Sequence, residues 1–226
     1  MTNRKVAPYA ALIVLCGGAA TKASGIVLLI DPRFGSTEQT GSTATVSLAF
    51  TAEGAEDRLT LTLENTTPPA IGSQLTAVGL ELPPWLVPLP TLSPTAAASY
   101  FDTVTYDHSV SPGRFDAPGG YDLMLTGDGD FLGGNPHGAP FDGERASVLL
   151  DLGDTGMTLS QLDAGFAAFY NELTGPFLIG RFQTVGPNGE DSDKVGGGVP
   201  EPTTLLLLLL SGFVALRRRS GPARSA

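Results

Sequence analysis

The chain has 226 residues, and 23 acidic against 13 basic side chains give it a net charge of −10. Residues 24–199 hold 22 of the acidic side chains but only six of the basic ones, so that stretch alone carries −16. A surface this acidic repels phosphate backbones, which excludes nucleic acid as a partner.

Residues 1–23 begin with Arg4 and Lys5, continue through an apolar stretch at 6–15, and end in small residues up to Ala23. That is the layout of a secretory signal peptide, with cleavage expected after Ala23. Cys16, the single cysteine, falls inside it. The processed chain therefore has no disulfide, thiol nucleophile or cysteine-based zinc site.

Alternation then takes over. In 43–51, TATVSLAFT, Val46, Leu48 and Phe50 share one face, and Thr45, Ser47 and Ala49 the other. In 58–64, RLTLTLE, Leu59, Leu61 and Leu63 alternate with Thr60, Thr62 and Glu64. Period two with threonines outward predicts half-buried antiparallel strands, joined here by a turn in 52–57. Further strands are predicted at 26–30, 75–82, 101–106, 121–126, 145–152 and 177–185. Together these eight predict an all-β protein, an antiparallel β-sandwich of Ig-like or jelly-roll-like type over residues 24–185. The 29 glycines and 18 prolines read as turn punctuation.

Three loops are long: the proline-rich 83–94, PPWLVPLPTLSP, then 111–120, and 127–143. One helix is expected, with Ser160 as N-cap and Asp163 completing a capping box. Leu162, Phe166, Phe169 and Tyr170 then fall on one face, packed over an end of the sandwich. Gly165 weakens this helix by about 1 kcal/mol. Residues 186–198, GPNGEDSDKVGGG, read as a polar, glycine-rich linker.

The last 28 residues are the most specific. Val199-Pro200-Glu201-Pro202 precedes an apolar run at 205–216, and Arg217, Arg218 and Arg219 follow it. Even a generous fourteen-residue helix reaches only about 21 Å of a ~30 Å hydrocarbon core, so the span suits a temporary anchor. The three arginines fix its orientation with the basic flank cytoplasmic. This tail resembles the PEP-CTERM sorting signal of Gram-negative bacteria. The resemblance implies recognition of Pro200, Glu201 and Pro202 by an exosortase, 205–216 as a transient inner-membrane span, and Arg217, Arg218 and Arg219 as its stop. A second resemblance covers 121–138, 141–152 and 177–195, whose FLGG-N loop and RFQ-VG strand are similar to a domain recurrent among PEP-CTERM proteins. It implies the fold and the exported class only.

Chemistry is sparse. Asp128-Gly129-Asp130 with Gly133 echoes the start of a calcium loop, but Leu132 stands at the third ligand position and Ala139 where the closing Glu belongs. Asp128, Asp130 and Asp142 remain calcium candidates, against the alternative of solvated Gly-Asp turns; Asp191 and Asp193 read as such turns too. His108 and His137 lack partners at metal spacing. There is no G-x-S-x-G elbow, and no carboxylate pair stands out. Asn65-Thr66-Thr67 fits a glycosylation sequon. Trp85, the sole tryptophan, is the one glycan-stacking candidate, against an alternative role as a hydrophobic plug on the sandwich edge.

The expectation is an exported, non-enzymatic protein of the cell surface or extracellular matrix, associated with biofilm or exopolysaccharide. Its expected partners are the export machinery, signal peptidase, an exosortase and exopolysaccharide, with no cofactor. The alternative is a carbohydrate-binding module, calcium-dependent in one variant. An enzyme, glycosidase or lyase, ranks third.

Overall fold

The computed structural model describes residues 25–93, 100–108, 121–127, 136–173 and 176–200. The signal segment 1–23, Asp128 and Asp130, and the tail from Glu201 through Pro202 and Arg217, Arg218 and Arg219 lie outside them.

The strands are β1 (Ile26–Ile30), β2 (Ala44–Glu53), β3 (Glu56–Asn65), β4 (Gln74–Leu80), β5 (Thr91–Leu92), β6 (Thr103–His108), β7 (Tyr121–Thr126), β8 (Arg145–Gly153), β9 (Leu178–Val185) and β10 (Asp191–Gly198). They form one sheet in the order β5-β8-β3-β2-β1-β10-β9-β4-β7-β6, with every neighbouring pair antiparallel. The all-β antiparallel class is as expected. The layers expected of a sandwich are parts of this one continuous sheet. Strand twist accumulates across ten strands until the edges meet, and the hydroxyl of Tyr106 in β6 donates to the Pro90 carbonyl beside β5. The result is a nearly closed barrel with little free edge. Alternating residues look the same in a sandwich and in a barrel, so the sequence pattern does not separate the two.

Alternation sorts the side chains as read. Ala44, Val46, Leu48 and Phe50 of β2 and Leu59, Leu61 and Leu63 of β3 are buried, while Thr45, Ser47, Thr60 and Thr62 sit at the surface. Leu61 pairs with Leu48, and both are fully buried. Burying each such leucine stabilises the fold by about 1.5–3 kcal/mol. An apolar interior under a threonine-rich exterior is the reverse of a membrane-spanning barrel.

The helix α1 (Leu159–Glu172) closes one end of the barrel. Its inner residues Leu162, Phe166 and Tyr170 are buried. Phe166 packs on Phe50 near the end of β2, with ring centroids 4.9 Å apart. Tyr170 stacks on Phe177 just before β9 at 5.1 Å. The N-cap is Thr158 rather than the expected Ser160, and Gln161 rather than Asp163 completes the capping box. Both Thr158 and Ser160 are good caps. Starting two residues earlier lets the Gln161 side chain return to the Thr158 amide at 2.8 Å, which a start at Ser160 would forfeit.

The largest correction concerns residues 186–198. They are not a linker: Asp191–Gly198 is β10, a central strand between β1 and β9. Gly197 and Gly198 are there because nothing larger fits without a shift. A Cβ on Gly197 would lie 2.6 Å from the Leu29 carbonyl oxygen, and one on Gly198 would lie 2.8 Å from the Phe34 ring. The folded body therefore runs to residue 198, not 185. The short edge strand β5, inside the proline-rich loop, was likewise not foreseen.

Candidate functional site

At the end of the barrel opposite α1, Asp193 organises the turn after β1. Its carboxylate is buried. It accepts hydrogen bonds from the hydroxyls of Ser36 (2.7 Å), Thr37 (3.0 Å) and Thr40 (2.7 Å), and from the amides of Thr37, Glu38 and Thr40. Burial alone would raise its pKa. The hydrogen bonds from Ser36, Thr40 and the Glu38 and Thr40 backbones outweigh burial and hold the group below its ordinary value. Asp193 is thus a satisfied structural anion, not the solvated turn residue read from the sequence. Asp191 alone of that pair is exposed.

Asn65 lies at the same end. Its side chain is fully buried, and Nδ2 donates to the carbonyls of Ser73 (3.0 Å) and Pro140 (3.1 Å). An amide nitrogen held this way is not an acceptor for glycan transfer in the folded chain.

At the α1 end, the sequence reading missed a carboxyl pair. Glu81 follows β4, Asp122 lies in β7, and the Leu80–Leu123 pairing places them side by side. Asp122 Oδ2 accepts the Leu82 amide at 2.8 Å, and the Tyr170 hydroxyl donates to the Glu81 carbonyl at 3.0 Å. Burial, then the Asp122 charge, then a hydrogen bond between the two side chains push the Glu81 carboxyl up to about 7. The same surroundings raise the Tyr170 phenol, through burial first and then the two carboxylates. A carboxyl this close to a second one holds its proton toward neutrality, and here that carboxyl is Glu81. Nothing in GLELPP or YDLML marks the partnership, because only the strand register creates it.

Trp85 is at this end too. Its indole meets Phe166 edge-on at 5.4 Å and lies against Gly165, where a Cβ would come within 2.9 Å of the ring. The glycine that weakens α1 is the one that admits the indole. Trp85 nevertheless stays 41% exposed, beside Val87 at 82% and Leu89 at 39%. It is therefore part plug and part surface. Its surface neighbours are apolar, whereas sugar sites join an aromatic platform to convergent polar groups.

Of the calcium candidates only Asp142 is described. It sits in the turn before β8, where the Phe141 amide donates to Glu144. Among the described residues, no group of three or more His, Cys, Asp or Glu side chains is placed to hold a metal ion. His108 ends β6, and His137 lies in the 136–140 loop. Of the sorting motif, Val199 packs against the core and Pro200 follows it. Among the described residues, no helix is long and apolar enough to cross a membrane. Compared with protein-family models, with curated proteins and with solved structures, the chain matches none.

Proposed function

We propose that this is an exported, non-enzymatic surface or matrix protein of a Gram-negative bacterium, released or displayed after exosortase processing of a PEP-CTERM tail. The observation that carries the reading is the way the chain leaves the barrel. The sheet is complete at Gly198, and Val199-Pro200-Glu201-Pro202 follows at once, then the apolar run and the arginines. A cut at or after this motif would remove the greasy segment without removing a strand. The −16 body suits solubility outside the cell, and it needs no cysteine there.

Intact-mass measurement on protein recovered from its native host tests this. The expected product begins near Ser24 and lacks residues 205–219. Surface material that retains them would overturn the exosortase reading. The carbohydrate-binding alternative rests on the exposed face of Trp85. It predicts a change in Trp85 fluorescence on titration with exopolysaccharide, and a flat titration removes it.

A further inference from the structure

We propose that the α1 end of the barrel docks on a lipid surface while the tail is anchored, with Trp85, Val87 and Leu89 entering the membrane interface. The proposal rests on the membrane-anchored reading above and goes beyond it by assigning a face and three side chains.

The first observation is where the tail leaves. Gly197 pairs with Leu178, so Gly198 lies level with Phe177, which stacks on Tyr170 of α1. Val199 still packs on the core. β10 runs antiparallel to β1 with Gly198 opposite Leu29, so beyond Val199 the chain heads along β1 toward its Ile26 end. That is the helix-capped end, because Ile26 pairs with Leu48, two residues before the Phe50 that underlies Phe166.

The second is the tether. Only residues 200–204 separate Val199 from the apolar run beginning at Leu205. Fully extended, five residues span about 17 Å, and the polar headgroup layer itself takes up several ångström of that. The barrel has no room to turn away, so its α1 end faces the bilayer.

The third is the chemistry of that end. Of the five large apolar side chains exposed among the described residues, three, Trp85, Val87 and Leu89, fall in the one loop that borders α1. Residues 83–94 carry no charge. Tryptophan favours the interface, where its ring is apolar and its N–H finds a polar partner. Glu53 and Glu56, at the β2–β3 turn of the same end, oppose anionic lipid. The fitting surface is therefore zwitterionic.

The experiment uses the full chain reconstituted with phosphatidylcholine vesicles. Flotation reports tail insertion, and Trp85, as the sole tryptophan, reports docking. The expected result is blue-shifted emission and at least roughly twofold quenching by phosphatidylcholine brominated high on the acyl chain. Val87→Asp with Leu89→Asp, both at exposed positions, should abolish most of that quenching while flotation is unchanged. Added phosphatidylserine should weaken it. Flotation with an unquenched, iodide-accessible Trp85 overturns the docking and leaves the anchor standing. Failure to float overturns the anchor and the docking with it. Shielding of Trp85 that grows with protein concentration and ignores brominated lipid assigns the face to a second copy and also overturns the proposal.

Discussion

Gly197 approaches Leu29 so closely that a methyl group on it would lie 2.6 Å from the Leu29 carbonyl oxygen and 2.7 Å from a Leu178 methyl. The first obstacle is backbone in a paired strand and cannot swing aside. Gly197→Ala should therefore destabilise the barrel by about 1–3 kcal/mol, the usual cost of overpacking. Ser192→Ala, at an exposed position of the same strand, should stay within about 0.5 kcal/mol. Urea denaturation midpoints decide. Equal midpoints for the two variants would return 191–198 to the status of a linker.

Gly165 tests the seat of Trp85. Glycine to alanine in a helix interior gains about 1 kcal/mol from propensity alone. Here the new methyl would come within 2.9 Å of the indole. Gly165→Ala should thus gain little or nothing in midpoint, and Trp85 emission should move to the red as the ring is pushed outward. A full gain in stability with unchanged emission would mean the indole does not rest on α1.

Asp193 tests the opposite end. Replacing the carboxylate by an amide leaves several of the Ser36, Thr37, Glu38 and Thr40 donors facing the wrong group. Asp193→Asn should cost roughly 3 kcal/mol, as unpairing buried groups does. It should also speed amide exchange at residues 37–40. A cost below about 0.5 kcal/mol, typical of plain surface positions, would restore the exposed-turn reading.

What was legible in the sequence follows from what a local pattern encodes. Val46, Leu48 and Phe50 against Thr45, Ser47 and Ala49 is a statement about faces, and every one of those faces was placed correctly. β10 was invisible because its signal is steric. GGG reads as freedom until the Leu29 carbonyl and the Phe34 ring are set beside it. Asp193 and Glu81 failed differently. Their environments come from residues about 155 and 40 positions away, and only the β1–β10 and β4–β7 registers bring those together. The helix N-cap was missed by two residues because Thr158 and Ser160 are near-equal caps, and the Gln161 return bond decides between them.

The Glu81–Asp122 pair makes a prediction about pH. Glu81 has an ordinary value of 4.5 in the unfolded chain and about 7 in the barrel. Between those values the folded state holds more protons than the unfolded one, so stability falls as pH rises through that window. Asp193 works the other way at lower pH. Its folded pKa lies below its ordinary 3.8, so its contribution is present above that value and is lost as pH drops toward the folded pKa. Stability should therefore peak at mildly acidic pH, between the two, and decline toward pH 8. Glu81→Gln removes the titrating group but keeps the backbone carbonyl that Tyr170 uses. At pH 8 this variant should be more stable than the parent by about 1 kcal/mol, allowing for solvent screening of a partly exposed pair. Near pH 4 the two should differ little, since the parent carboxyl is then protonated in both states. Midpoints across pH 4–8 for parent and variant give the answer. A parent whose stability climbs steadily to pH 8, with the variant running parallel to it, would show that Glu81 is not pressed against Asp122, and the β4–β7 register would need to shift.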